Sequence, residues 1–138
     1  AGLDASRRME RGDFAGAYDR LETMRAAGDR LIGLFRMEAA CEQMTAGVLT
    51  HRSRAEIERV FPEAAERYAR LYSRYMISRA LTLYIWERFV RRDAEKAAEA
   101  ARRVRDMAER YPVRGEAQAC VELLDRAEKL KDEDYGVG

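Results

Sequence analysis

The sequence is short of several things, and each shortage removes a class of protein. It has two prolines, Pro62 and Pro112, in 138 residues, so almost every backbone N–H can join a helix. β-Branched residues are sparse, whereas Ala, Arg, Glu and Leu, all good helix formers, dominate. That contrast predicts an all-α fold. There is one histidine, His51, and two cysteines, Cys41 and Cys120, lie 79 positions apart. They cannot supply the three or four closely spaced ligands of a zinc site, nor a disulfide-stapled secreted framework, and both read as buried thiols. No apolar run reaches the ~18 residues that a bilayer span requires. The most apolar stretch, 75–90, is interrupted by Arg79, Glu87 and Arg88. No signal-peptide pattern is visible, and the start at Ala1 suggests a piece of a longer protein. There is no excess of one charge either: 26 basic residues stand against 25 acidic ones, net +1. A dedicated nucleic-acid-binding domain draws its affinity from phosphate neutralisation, so no nucleic-acid partner is expected. The nine glycines are scattered and form no phosphate loop.

What the sequence does contain is regular punctuation. Gly12-Asp13, Gly28-Asp29, Gly47 and Arg92-Asp93 each read as a helix end followed by a new start. Ser53 and Glu56 have the spacing of a capping box. Pro62 suits a first helical turn, and Tyr111-Pro112 ends a helix. These marks predict helices over 3–11, 13–27, 29–46, 53–60, 62–73, 75–91, 93–110 and 114–131, with 62–73 and 75–91 open to being one bent helix. Residues 1–131 form one domain on this reading, and 132–138 form an acidic, frayed tail. Ala97, Ala101, Val104, Ala108 and Tyr111 recur at steps of four and three, giving 93–110 one narrow apolar face. Ala117, Val121, Leu124 and Ala127 do the same for the last helix. The 75–91 segment is apolar around most of its circumference, as expected of a central helix.

The stretches Gly12-Asp-Phe-Ala-Gly-Ala17-Tyr18 and Arg92-Asp-Ala-Glu-Lys-Ala97-Ala98 resemble the turn and second-helix start of a tetratricopeptide repeat, and Tyr111-Pro112 resembles its end. The two stretches are 80 residues apart, off the family period, and the usual first-helix Trp, Gly and Tyr positions are not filled. The resemblance implies a right-handed stack of antiparallel helix pairs, about seven helices in all. A second resemblance covers 57–124 and is carried by Arg74-Tyr75-Met76-Ile77-Ser78-Arg79, Asp93-Ala-Glu-Lys-Ala97 and Tyr111-Pro112-Val-Arg-Gly115-Glu116. These look like the soluble region that follows the membrane domain of bacterial site-2-protease-like zinc metalloproteases. It implies a non-catalytic, cytoplasmic regulatory domain appended to a membrane protease. The His-Glu-x-x-His motif is absent, so no catalytic, cofactor or metal residue carries over.

The constellation of most interest is Tyr75, Arg79, Thr82 and Trp86, which steps of four, three and four place on one helical face. Tyr72 and Arg74 precede it, and 66–92 carries seven arginines against two glutamates. Arg and aromatic side chains dominate binding hot spots, so this face is a candidate groove for an acidic or extended peptide. The other reading makes the rings core and pairs the arginines with acids, seven of which lie between 116 and 134. Core packing is the commoner fate of aromatics at helical spacing. The function expected is that of a non-catalytic protein-interaction module, with weak nucleic-acid binding through 66–92 as an outlying alternative.

Overall fold

The computed structural model describes residues 2–27 and 33–131. These are all-α: α1 (Gly2–Glu10), α2 (Phe14–Ala26), α3 (Gly33–Leu49), α4 (Arg54–Val60), α5 (Glu63–Tyr72), α6 (Ile77–Ile85), α7 (Ala94–Arg110) and α8 (Arg114–Glu128). A π-helical turn, Trp86–Val90, extends α6. No strand occurs, and no helix is long and apolar enough to cross a membrane, among the described residues. The Gly28-Asp29 punctuation and the acidic tail lie outside the described residues.

Local chemistry sets most of the boundaries. Asp13 accepts from the Gly16 N–H at 3.0 Å, and Asp93 from the Lys96 N–H at 3.0 Å, each satisfying a first-turn donor. Ser53 accepts from the Glu56 N–H at 3.2 Å. The Glu56 carboxylate lies 3.8 Å from the Arg52 guanidinium, an ion pair beside the serine cap. Pro62 stands just ahead of α5 at φ −68°, and Tyr111 leaves α7 in extended conformation.

Two boundaries differ from the sequence reading. Gly47 does not end α3, which continues to Leu49; the left-handed residue is His51, at φ 60°. Gly47 is instead a packing glycine, because a Cβ there would sit 2.3 Å from Ile57 Cδ1 and 3.0 Å from Tyr18 Cε2. The 62–73 and 75–91 segments are two helices. The Tyr72 carbonyl accepts from both the Tyr75 and Met76 N–H groups, and Met76 is extended at φ −123°. The Ser73 hydroxyl donates to the Arg70 carbonyl at 3.0 Å, and such back-bonding competes with helix continuation.

The main core gathers around α6, eight of whose nine residues are buried. Phe61, Ile57, Phe89, Val104 and Leu124 close on it, and the Phe61 and Trp86 rings lie 4.8 Å apart. From α7 come Ala97, Ala101 and Val104, and from α8 Ala117, Cys120, Leu124 and Ala127. Cys120 thus takes the buried place expected of Val121, which is half-buried. The helices α1 and α2 attach through two smaller clusters, Ala5–Leu21–Ala39 and Ala17–Tyr18–Ala46. At the far end of α6 the Arg91 N–H reaches the Trp86 carbonyl at 3.0 Å, five residues back, which is the widened turn. Arg92 then turns left-handed, at φ 58°, into the α7 cap.

Candidate functional site

The structure divides the six residues of the candidate face into two groups. Arg79, Thr82 and Trp86 are buried in α6 and its extension. The Thr82 hydroxyl donates to the Ser78 carbonyl at 2.9 Å, and Trp86 packs on Phe61. Neither is available to a ligand from outside. Arg79 is 9 % exposed; its guanidinium lies 5.4 Å over the Tyr68 ring and 3.9 Å from the Glu38 carboxylate. The Tyr68 hydroxyl donates to the same Glu38 at 3.1 Å.

Both thiols titrate in the field of this buried cation. Burial pushes Cys41 up to about 11, with Arg79 pulling the other way, and burial pushes Cys120 up to about 12. Burial likewise raises Tyr68 to about 12 and lifts the Glu42 carboxyl above its ordinary value. At neutral pH both cysteines are therefore protonated and poor nucleophiles. The cluster of Arg79, Tyr68 and Cys41 belongs to the core. His51, the only histidine, lies on the exposed turn after α3. Among the described residues no three of His, Cys, Asp and Glu gather as a metal site would require.

Tyr72, Arg74 and Tyr75 are open, Tyr75 to 73 %. Arg74 and Tyr75 sit on the turn between α5 and α6, where they form one wall of a recess of about 630 Å³. The opposite wall is α7, with Glu99, Arg102, Arg103, Asp106 and Arg110, and Met107, Tyr111 and Pro112 complete the lining. Arg103 is fixed: it donates to the Ser73 hydroxyl at 3.2 Å and lies 3.8 Å from Glu99. Arg74, Arg102 and Arg110 have no hydrogen-bond or ion-pair partner among the described residues. Four arginines against two acids leave the lining with a charge of +2.

Elsewhere the arginines of the basic segment are mostly engaged. Arg70 bridges Glu66, at 2.9 Å, and Glu87, which is 2 % exposed inside the π-turn. Arg91 stands 3.6 Å from Glu66 and 3.9 Å from Glu87. Arg67 pairs with Glu63 at 2.8 Å, and Arg88 donates to the Ala127 carbonyl at 2.6 Å. The acids of α8 meet α7 instead: Arg105 bonds Asp125 at 2.9 Å and also Glu128. So Arg74 and Arg92 are the arginines of 66–92 without a partner among the described residues.

The α7 half of the recess went unremarked in the sequence reading, although a signal exists. Glu99, Arg102, Asp106 and Arg110 recur at steps of three and four, a polar stripe separate from the alanine face. The chain matches no protein-family profile, no curated protein and no solved structure.

Proposed function

We propose that this chain is a non-catalytic protein-interaction module, built of packed helix pairs, that holds an acidic, extended segment of a partner protein in the recess between the α5–α6 turn and α7. One observation carries this reading. The recess contains three arginines, Arg74, Arg102 and Arg110, left unpaired in a protein that engages most of its other arginines internally. A guanidinium presents a fork of donors that matches a carboxylate two bonds at a time, and such charge-assisted bonds are stronger than neutral ones. Tyr75 adds a broad, rigid ring beside them. Because the recess is open, each ion pair contributes at most about 1 kcal/mol, so the three together supply about 3 kcal/mol and place the complex in the millimolar range.

The test is a titration of a fluorescent, glutamate-rich peptide at low salt. The expected result is saturable binding that weakens as salt rises and falls about tenfold in an Arg74→Ser/Arg110→Ser double variant of unchanged helicity. Generic duplex and single-stranded DNA serve as competitors. Displacement of the peptide by DNA at equal charge concentration, or absence of peptide binding altogether, rejects the reading.

A further inference from the structure

The geometry points to a partner segment that is amphipathic as well as acidic, its apolar side chains resting on a hydrophobic rim beside the arginine recess. This rests on the reading of the recess as an acidic-segment site and specifies what else the segment carries. Among the described residues the large apolar side chains left exposed are Phe35, Leu71, Tyr72, Tyr75 and Val113. They are far apart in sequence, yet all fall at helix ends that meet at one end of the molecule. Phe35 begins α3; Leu71 and Tyr72 end α5; Tyr75 is on the turn into α6; Val113 precedes α8.

Specific contacts bring these ends together. The Tyr68 hydroxyl bonds Glu38, one turn beyond Phe35, and the Tyr68 and Tyr72 rings lie 4.8 Å apart, which joins the start of α3 to the end of α5. The Tyr72 carbonyl accepts from the Tyr75 N–H at 3.0 Å. Tyr75 shares the recess with Pro112, the residue before Val113. Tyr75 belongs both to the exposed apolar group and to the recess, Leu71 lies three residues before Arg74, and Val113 follows Pro112, so the apolar side chains flank the lining at both of its chain segments. Apolar exposure scattered singly needs no explanation, whereas exposure gathered at one end beside unpaired cations marks a contact surface.

Charge decides among the occupants. A second copy docking through the same face would set Arg74, Arg102 and Arg110 against themselves, a like-charge arrangement that costs affinity. An anionic membrane is a flat sheet of phosphates, whereas these cations line a concavity that a protruding chain can enter and a flat headgroup layer cannot. A purely acidic chain would satisfy the arginines and leave Leu71, 66 % exposed, in water. A segment with acids on one side and leucine or phenylalanine on the other satisfies both halves.

The experiment compares two peptides of equal charge by fluorescence anisotropy with the whole chain. One carries leucines between its glutamates and the other carries serines there. The leucine peptide is expected to bind about tenfold more tightly. A Leu71→Ser/Val113→Ser variant should erase that difference while still binding the serine peptide as the parent protein does. Both sites tolerate the change: Leu71 is exposed, and serine is a favoured residue at the helix-start position Val113 occupies. Equal affinity for the two peptides overturns the apolar rim and leaves the acidic-segment reading standing. No binding of either peptide overturns both. Preferential binding to phosphatidylcholine–phosphatidylserine vesicles, or concentration-dependent dimerisation lost in the Leu71→Ser/Val113→Ser variant, overturns the choice of partner.

Discussion

Arg74 and Arg79 lie five positions apart and have opposite fates. Arg79 is held in the core, over Tyr68 and near Glu38; Arg74 stands on a turn facing a recess. Nothing in the residue type separates them. What separates them is the break at 73–76, which ends α5, reverses the chain and begins α6 where neighbours cover it on several sides. A helical repeat of aromatic and arginine residues shows that side chains share a face. It does not show whether another helix lies on that face. The buried half of this face should therefore govern stability and the open half binding.

The largest effect expected from that division is at Trp86. Its ring is 8 % exposed and packs on Phe61, so truncation leaves a cavity that α6 and α4 cannot fill without moving. Trp86→Ala should cost about 3–5 kcal/mol of unfolding free energy. It should leave peptide affinity unchanged at temperatures where the variant is folded. Urea denaturation checks the first statement and the titration above the second. A loss below ~1 kcal/mol would mean that this half of the face is not core.

A smaller effect should appear with pH. The thiols Cys41 and Cys120 ionise near 9 in an unfolded chain and near about 11 and about 12 when folded, because burial disfavours the thiolate. A raised pKa in the folded state means that the protonated thiol contributes stability, complete below pH 9 and lost as pH climbs toward the folded values. At pH ~10 the two thiols together should remove about 2–3 kcal/mol, since a tenfold change in proton affinity corresponds to about 1.4 kcal/mol. Replacing both by alanine should flatten the stability profile between pH 8 and pH 10, after allowance for the cavities formed. A profile equally steep without the thiols would assign the loss to Tyr68, which burial also raises, to about 12.

Much of the helix pattern was legible because it depends on neighbours in sequence. The caps at Asp13, Ser53 and Asp93, the stop at Tyr111-Pro112 and the alanine face of α7 are local events, and each lies where the residues point. Gly47 was misread because glycine serves two purposes. At the end of α3 it permits the close approach of Tyr18 and Ile57, and His51 takes the left-handed turn. The widened turn at Trp86–Val90 has no glycine or proline to announce it. The recess was half legible for a related reason. Arg74 and Tyr75 were visible in one segment, but their opposite wall comes from residues about 30 positions later, and only the packing of α6 on α7 brings the two together.

The smallest effect should be at Arg102, and its smallness is informative. Arg102 lies within α7, exposed and without a partner among the described residues. An arginine kept for folding would show a loss on removal. One kept for a ligand would not, because Arg and Ala are both strong helix formers and no ion pair is broken. Arg102→Ala is therefore expected to change unfolding free energy by less than about 0.5 kcal/mol, with any change toward greater stability. Glu99 and Asp106 remain in the lining, so the same variant lowers the charge of the recess from +2 to +1 and should weaken the acidic peptide several-fold. A stability loss above ~1 kcal/mol would show that Arg102 supports the fold, and the contrast between a structural Arg79 and binding arginines would then rest on Arg74 and Arg110 alone.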